Sequence, residues 1–95
     1  MQLSVSLDMQ EIRITTAQLR AARALLRMPA DRLATLAGVS LVTIRRAEAQ
    51  DGPIRMMPAN LTAIRRALEE AGVEFIPENG GGAGVRVHKP VIKGD

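Results

Sequence analysis

Cysteine, tryptophan and tyrosine are absent from this chain of 95 residues. Without cysteine there is no disulfide framework and no thiolate metal site, which suits a reducing compartment. Phe75 is the lone aromatic, so gripping single-stranded nucleic acid by stacking bases on aromatic platforms is excluded. The lone histidine, His88, stands beside Lys89 with no acid, histidine or cysteine at ligand spacing. It reads as a surface residue, and no metal site is expected. No apolar run approaches the roughly 20 residues of a membrane span, and no basic-then-apolar signal opens the chain. We therefore expect no membrane contact and a cytoplasmic location. A Ser/His/Asp set and a catalytic carboxylate pair are missing too, so neither an enzyme nor a cofactor is expected. The glycine-rich ENGGGAGV leads into a strand, with Val85 where a dinucleotide fingerprint needs its last glycine.

What is present is a small domain with an uneven charge. The formal net charge of +3 combines two opposed regions. Residues 13–66 hold ten arginines against Asp31, Glu48 and Asp51, a balance of +7, and the remainder stands at −4. A basic body with acidic flanks fits a polyanionic partner better than a uniformly basic surface does.

The most informative stretch is LATLAGVSLVTIRRAE, residues 33–48. Leu33, Ala34 and Ala37 give a short helix a compact inner face. Gly38 can end it in the left-handed conformation without a Cβ penalty. Val39 plugs the corner, and Ser40 can N-cap the next helix. Ile44 and Ala47 then face inward, leaving Leu41, Val42, Arg45 and Arg46 pointing out. This is the grammar of a helix-turn-helix, and its arginines suggest DNA as the partner.

Around it, the spacing predicts a leader over 1–13 with a weak strand pattern. A capping box at Thr15 and Gln18 opens a first helix to about Met28, with Leu19, Ala22, Leu25 and Leu26 inward. Pro29 suits the start of a helix over 30–37, and a third covers 41–49. Asp51-Gly52-Pro53 marks a loop. A fourth helix spans 58–71 with Leu61, Ile64, Ala67 and Leu68 inward and Gly72 closing it. VEFI and VRVH, at 73–76 and 85–88, read as a β-hairpin. The expected domains are a helix-turn-helix domain over 14–72, a hairpin over 73–89 and a loose tail over 90–95. The expected fold is mainly α, with four to five helices and a small C-terminal hairpin.

The QLRAARALL of the first helix, the LAxxAGVSxxTIRRAE core and the helix after the loop resemble the Cro/repressor-like regulators of the XRE family. That resemblance covers about residues 14–72 and implies a repressor-like, sequence-specific transcription regulator acting on double-stranded operator DNA at the nucleoid. It implies base contacts from Ser40, Leu41, Val42 and Arg46, and phosphate contacts from Thr43 and Arg45, with Arg55 of the loop within reach of a phosphate. It also implies a structural ion pair between Arg23 and Glu48. Arg20, Arg27 and Arg32 add sequence-independent attraction or form a solvated face.

Two positions depart from the family pattern. Pro29 and Ala30 stand where relatives carry a polar cap and a phosphate-clamping glutamine, leaving Ala30 only its backbone amide and the helix dipole. Asp31 opposes even that. Leu41 and Val42 replace polar readers, and suit thymine methyl groups or a protein contact. A two-fold homodimer on a palindromic site is the expected assembly. Val73, Phe75, Val85 and Val87 form one apolar face of the hairpin, either the dimer contact or a flap over the domain's own core. Two other readings stay open: an antitoxin that represses its own operon beside a toxin partner, and a module that sequesters another regulator through Leu41 and Val42.

Overall fold

The Thr15 hydroxyl accepts from the Gln18 amide at 3.0 Å, and the Gln18 side chain accepts from the Thr15 amide at 2.9 Å. This reciprocal cap opens α1, Thr16–Leu26. The computed structural model describes residues 13–88; the expected leader, apart from Arg13, and the loose tail fall outside them. Leu19 and Ala22 of α1 are fully buried and Leu26 packs beside them. Leu25, expected inward, is 48% exposed. At 100° per residue it misses the stripe of Leu19, Ala22 and Leu26 by about 90°. The helix also stops earlier than its pattern suggests. Arg27 adopts left-handed backbone (φ 54°, ψ 42°), and Met28 turns into the core instead.

Pro29 precedes α2, Ala30–Ala37, with no side-chain cap. Leu33 and Ala34 are buried. Gly38 ends the helix at φ 72°, Val39 packs against the core, and Ser40 caps α3, Leu41–Ala49. The loop that follows is tied to the segment entering α1. Thr15 and Pro53 form an antiparallel bridge, and the Ile54 amide donates to the Ile14 carbonyl at 3.0 Å. Pro58 then starts α4, Pro58–Ala71, which buries Leu61, Ile64, Ala67 and Leu68 and ends at Gly72 (φ 123°).

β1, Val73–Ile76, pairs antiparallel with β2, Gly84–Val87, in the register Val73↔Val87 and Phe75↔Val85. The second strand begins one residue earlier than the pattern suggests, and His88 falls beyond it, its amide donating to the Gly72 carbonyl at 2.7 Å. Val73 and Phe75 are buried in the core, and Val85 packs against it. Val87 alone of the four stays half-exposed. Val73 and Phe75 are thus covered by their own domain, which leaves Val87 and part of Val85 at the surface of this face. An isolated hairpin is marginal in water, and burying each such side chain is worth about 1.5–3 kcal/mol. The Arg65 guanidinium of α4 lies over the Phe75 ring, 5.3 Å from its centre.

The described residues thus form a small, mainly helical fold with a two-stranded antiparallel hairpin. Its core meets at Ile14, Leu19, Leu33, Ile44, Ile64, Leu68 and Val73, drawn from every element except β2. No helix among these residues is long and apolar enough to cross a membrane.

Candidate functional site

Helix α3 is gripped from behind by α1. Ile44 and Ala47 are completely buried on its inner side. At its C-terminal end, where the last carbonyls have no partner within the helix, α1 supplies donors. The Thr16 hydroxyl donates to the Ala47 carbonyl at 3.3 Å, and the Arg20 guanidinium donates to the Glu48 carbonyl. Arg23 forks onto the Glu48 carboxylate, with Nε to Oε2 at 2.6 Å and Nη2 to Oε1 at 2.8 Å. Its remaining nitrogen, Nη1, donates to the Met28 carbonyl at 2.8 Å. The hydrogen bond to Glu48 raises the Arg23 pKa above its ordinary value despite the opposing effect of burial. With side chains only 23% and 15% exposed, the pair is a structural tie, because losing one partner strands a charge that little water reaches.

That grip leaves the opposite side of α3 outward. Ser40, Val42, Arg45 and Arg46 are exposed, and Thr43 is half-buried. Leu41, expected to point out, is half-buried and packs against the core. It stands three residues before Ile44 and so shares the inner stripe. Ala30 is likewise partly buried with its methyl on the core, so α2 offers a partner only backbone amides at its front. The Ser40 and Thr43 hydroxyl oxygens lie 2.9 Å apart, and Ser40 Oγ also accepts from the Thr43 amide. Two hydroxyls sharing one bond leave one O–H free to donate outward.

Arg55 is exposed on the following loop, and its backbone is clamped on both sides by one amide side chain. Its N–H donates to Gln50 Oε1 at 2.7 Å, and Gln50 Nε2 donates to its carbonyl at 3.1 Å. Between α3 and this loop lies a hollow of about 280 Å³, lined by Thr43, Arg46, Gln50, Arg55, Met57 and Asn60. No acidic side chain lines it. Three of the residues singled out from the sequence, Thr43, Arg46 and Arg55, are thus brought to one place. Ser40, Val42 and Arg45 stand outside the hollow. Gln50 and Asn60 were not anticipated; an amide closing a loop onto its own chain has no local sequence signature beyond the nearby Asp51-Gly52-Pro53 turn. Among the described residues no cluster of histidines and acids could hold a metal ion. Compared with protein-family models and with curated proteins, the chain matches none.

Proposed function

We propose that this protein is a sequence-specific, double-stranded DNA-binding transcription regulator of the Cro/repressor-like kind, with α3 entering the major groove. The observation that carries the reading is the division of α3. One side is buried and tied through Glu48 to α1, while the other presents Ser40, Val42, Arg45 and Arg46 without an acidic neighbour in the adjoining hollow. A groove about 12 Å wide admits a helix held this way. Arg46 is assigned to a guanine edge, where a bidentate pair discriminates by about 1–3 kcal/mol. Val42 is assigned to a thymine methyl group, and Arg45, Thr43 and Arg55 to phosphates. Two copies on a palindromic operator, their recognition helices about 34 Å apart, complete the reading.

Fluorescence anisotropy on DNA from upstream of the coding region, at low and near-physiological salt, tests this. Wild type is expected to bind tightly, in a salt-sensitive way that survives competitor DNA, and Arg46→Ala to lose the sequence preference. Binding at the non-specific level alone, on this DNA and on a randomised pool, overturns it. Such a result favours a protein-interaction module, a reading supported by exposed Val42 and Met57 beside the basic side chains.

A further inference from the structure

The segment entering α1 and the loop after α3 run antiparallel. Thr15 bridges Pro53, the Thr16 amide donates to the Gly52 carbonyl at 2.9 Å, and the Ile54 amide donates to Ile14. Arg13 and Arg55 each lie one residue beyond the Ile54–Ile14 hydrogen bond. Ile14 and Ile54 are buried, whereas Arg13, Pro53 and Arg55 are exposed. Both arginines line a hollow of about 370 Å³ with Pro53, Ile54, Met56, Pro58 and Leu61. Two like charges lining one hollow repel, and no acidic side chain lines this one. Its volume lies within the roughly 300–1,000 Å³ typical of small-molecule sites.

We propose that this hollow binds a small amphipathic carboxylate, its charged head between Arg13 and Arg55 and its aliphatic body on Met56, Pro58 and Leu61. A carboxylate accepts paired N–H bonds from a guanidinium and relieves the repulsion between the two arginines. The apolar lining adds burial that an inorganic anion or a nucleic-acid phosphate cannot use. Arg55 lines this hollow and the one beside α3. Occupancy therefore draws on a side chain assigned above to the DNA backbone, a coupling that rests on the DNA reading; the binding itself does not.

Isothermal titration of the full chain with sodium octanoate tests the site, with octan-1-ol and inorganic phosphate as separate arms. Saturable one-site binding of octanoate is expected, with each control about tenfold weaker or more. Arg13→Gln and Arg55→Gln are each expected to weaken octanoate by about tenfold, the loss of one charge-assisted contact. Arg66→Gln, which lies outside the hollow, should leave it unchanged. Absence of saturable octanoate binding at millimolar concentration overturns the proposal, as do equal affinity for phosphate or octanol and indifference to both arginine variants. A thermal melt of the wild type with octanoate gives a check independent of any variant, since a ligand of the native state raises the midpoint. An unmoved midpoint at concentrations that saturate the titration also overturns it. No DNA enters these measurements, so their failure and that of the DNA reading are told apart.

Discussion

Arg27 occupies backbone (φ 54°, ψ 42°) that costs an L-residue about 1–2 kcal/mol and that glycine enters freely. Its amide bonds back to the Ala24 carbonyl at 3.1 Å, and the Met28 amide to Arg23 at 2.9 Å, the pattern of a helix stop. Arg27→Gly is therefore expected to stabilise the fold. Relief of strain exceeds the unfolded-state entropy that glycine adds, about 0.4–1 kcal/mol, leaving a net gain of about 0.5–1 kcal/mol. Urea denaturation measures it, and a loss of stability would show that the arginine side chain contributes more than its backbone costs. The same residue explains why the end of α1 was hard to read. Gly38 takes nearly the same conformation at φ 72° and announces itself as glycine. Arg27 carries no glycine signal of its own, and Pro29 limits the helix only to within two residues, so the apolar pattern runs on to Met28, with Leu25 in it.

At the scale of elements, Gln18 joins two structures that are far apart in sequence. Its carbonyl caps α1, and its Nε2 donates to the Ile76 carbonyl at 3.2 Å and to the Gly84 carbonyl at 2.8 Å. Those acceptors lie at the far ends of β1 and β2, so one buried amide pins the mouth of the hairpin's loop to the start of α1. Gln18→Ala removes the side-chain half of the capping box and leaves the Thr15 amide and two sheltered carbonyls without this partner, which should cost about 2–3 kcal/mol. Native-state hydrogen exchange should show the hairpin amides opening before those of the helices. Unchanged hairpin protection would refute this role. The capping half was legible because it spans three residues; the hairpin half spans 58 and 66 residues and has no local trace. On the hairpin's outer face, Arg86 forks onto Glu74 with Nε to Oε1 at 3.0 Å. That hydrogen bond, aided by the arginine's charge, holds the Glu74 carboxyl below its ordinary pKa. Because the folded value is the lower one, the pair's support is present above the ordinary carboxylate range and is lost as pH falls through the lowered value. Both side chains are exposed, so the effect on overall stability is small. Carboxyl NMR titration should find Glu74 below its ordinary value in the wild type and returned toward it in Arg86→Gln.

Across the whole molecule, the charges divide along the chain. Exposed Arg20, Arg45, Arg46 and Arg55 belong to α1, α3 and the loop after α3, while Glu69, Glu70, Glu74 and Glu78 belong to the end of α4 and the hairpin. This division was legible from the sequence alone, because it needs only counting charges along the chain. What counting cannot supply is which arginines would meet phosphates and which would meet bases in the proposed complex, and salt dependence separates the two. Each phosphate neutralised on duplex DNA releases counterions and contributes about −0.9 to the slope of log affinity against log salt. Arg55, on a loop with its backbone clamped by Gln50, is assigned to a phosphate. Arg55→Gln should therefore flatten the slope by about 0.9 per protomer and weaken operator and random DNA alike. Arg46, on the outward side of α3, is assigned to a base edge. Its replacement should shrink the ratio between operator and random DNA by about 1–3 kcal/mol while changing the slope far less. Measuring both variants over a salt series reads the two roles from one data set. If Arg46→Ala flattens the slope and Arg55→Gln narrows the specificity ratio, the assignments must be exchanged and α3 rotated in the groove. If neither variant changes either quantity, the outward side of α3 does not face DNA.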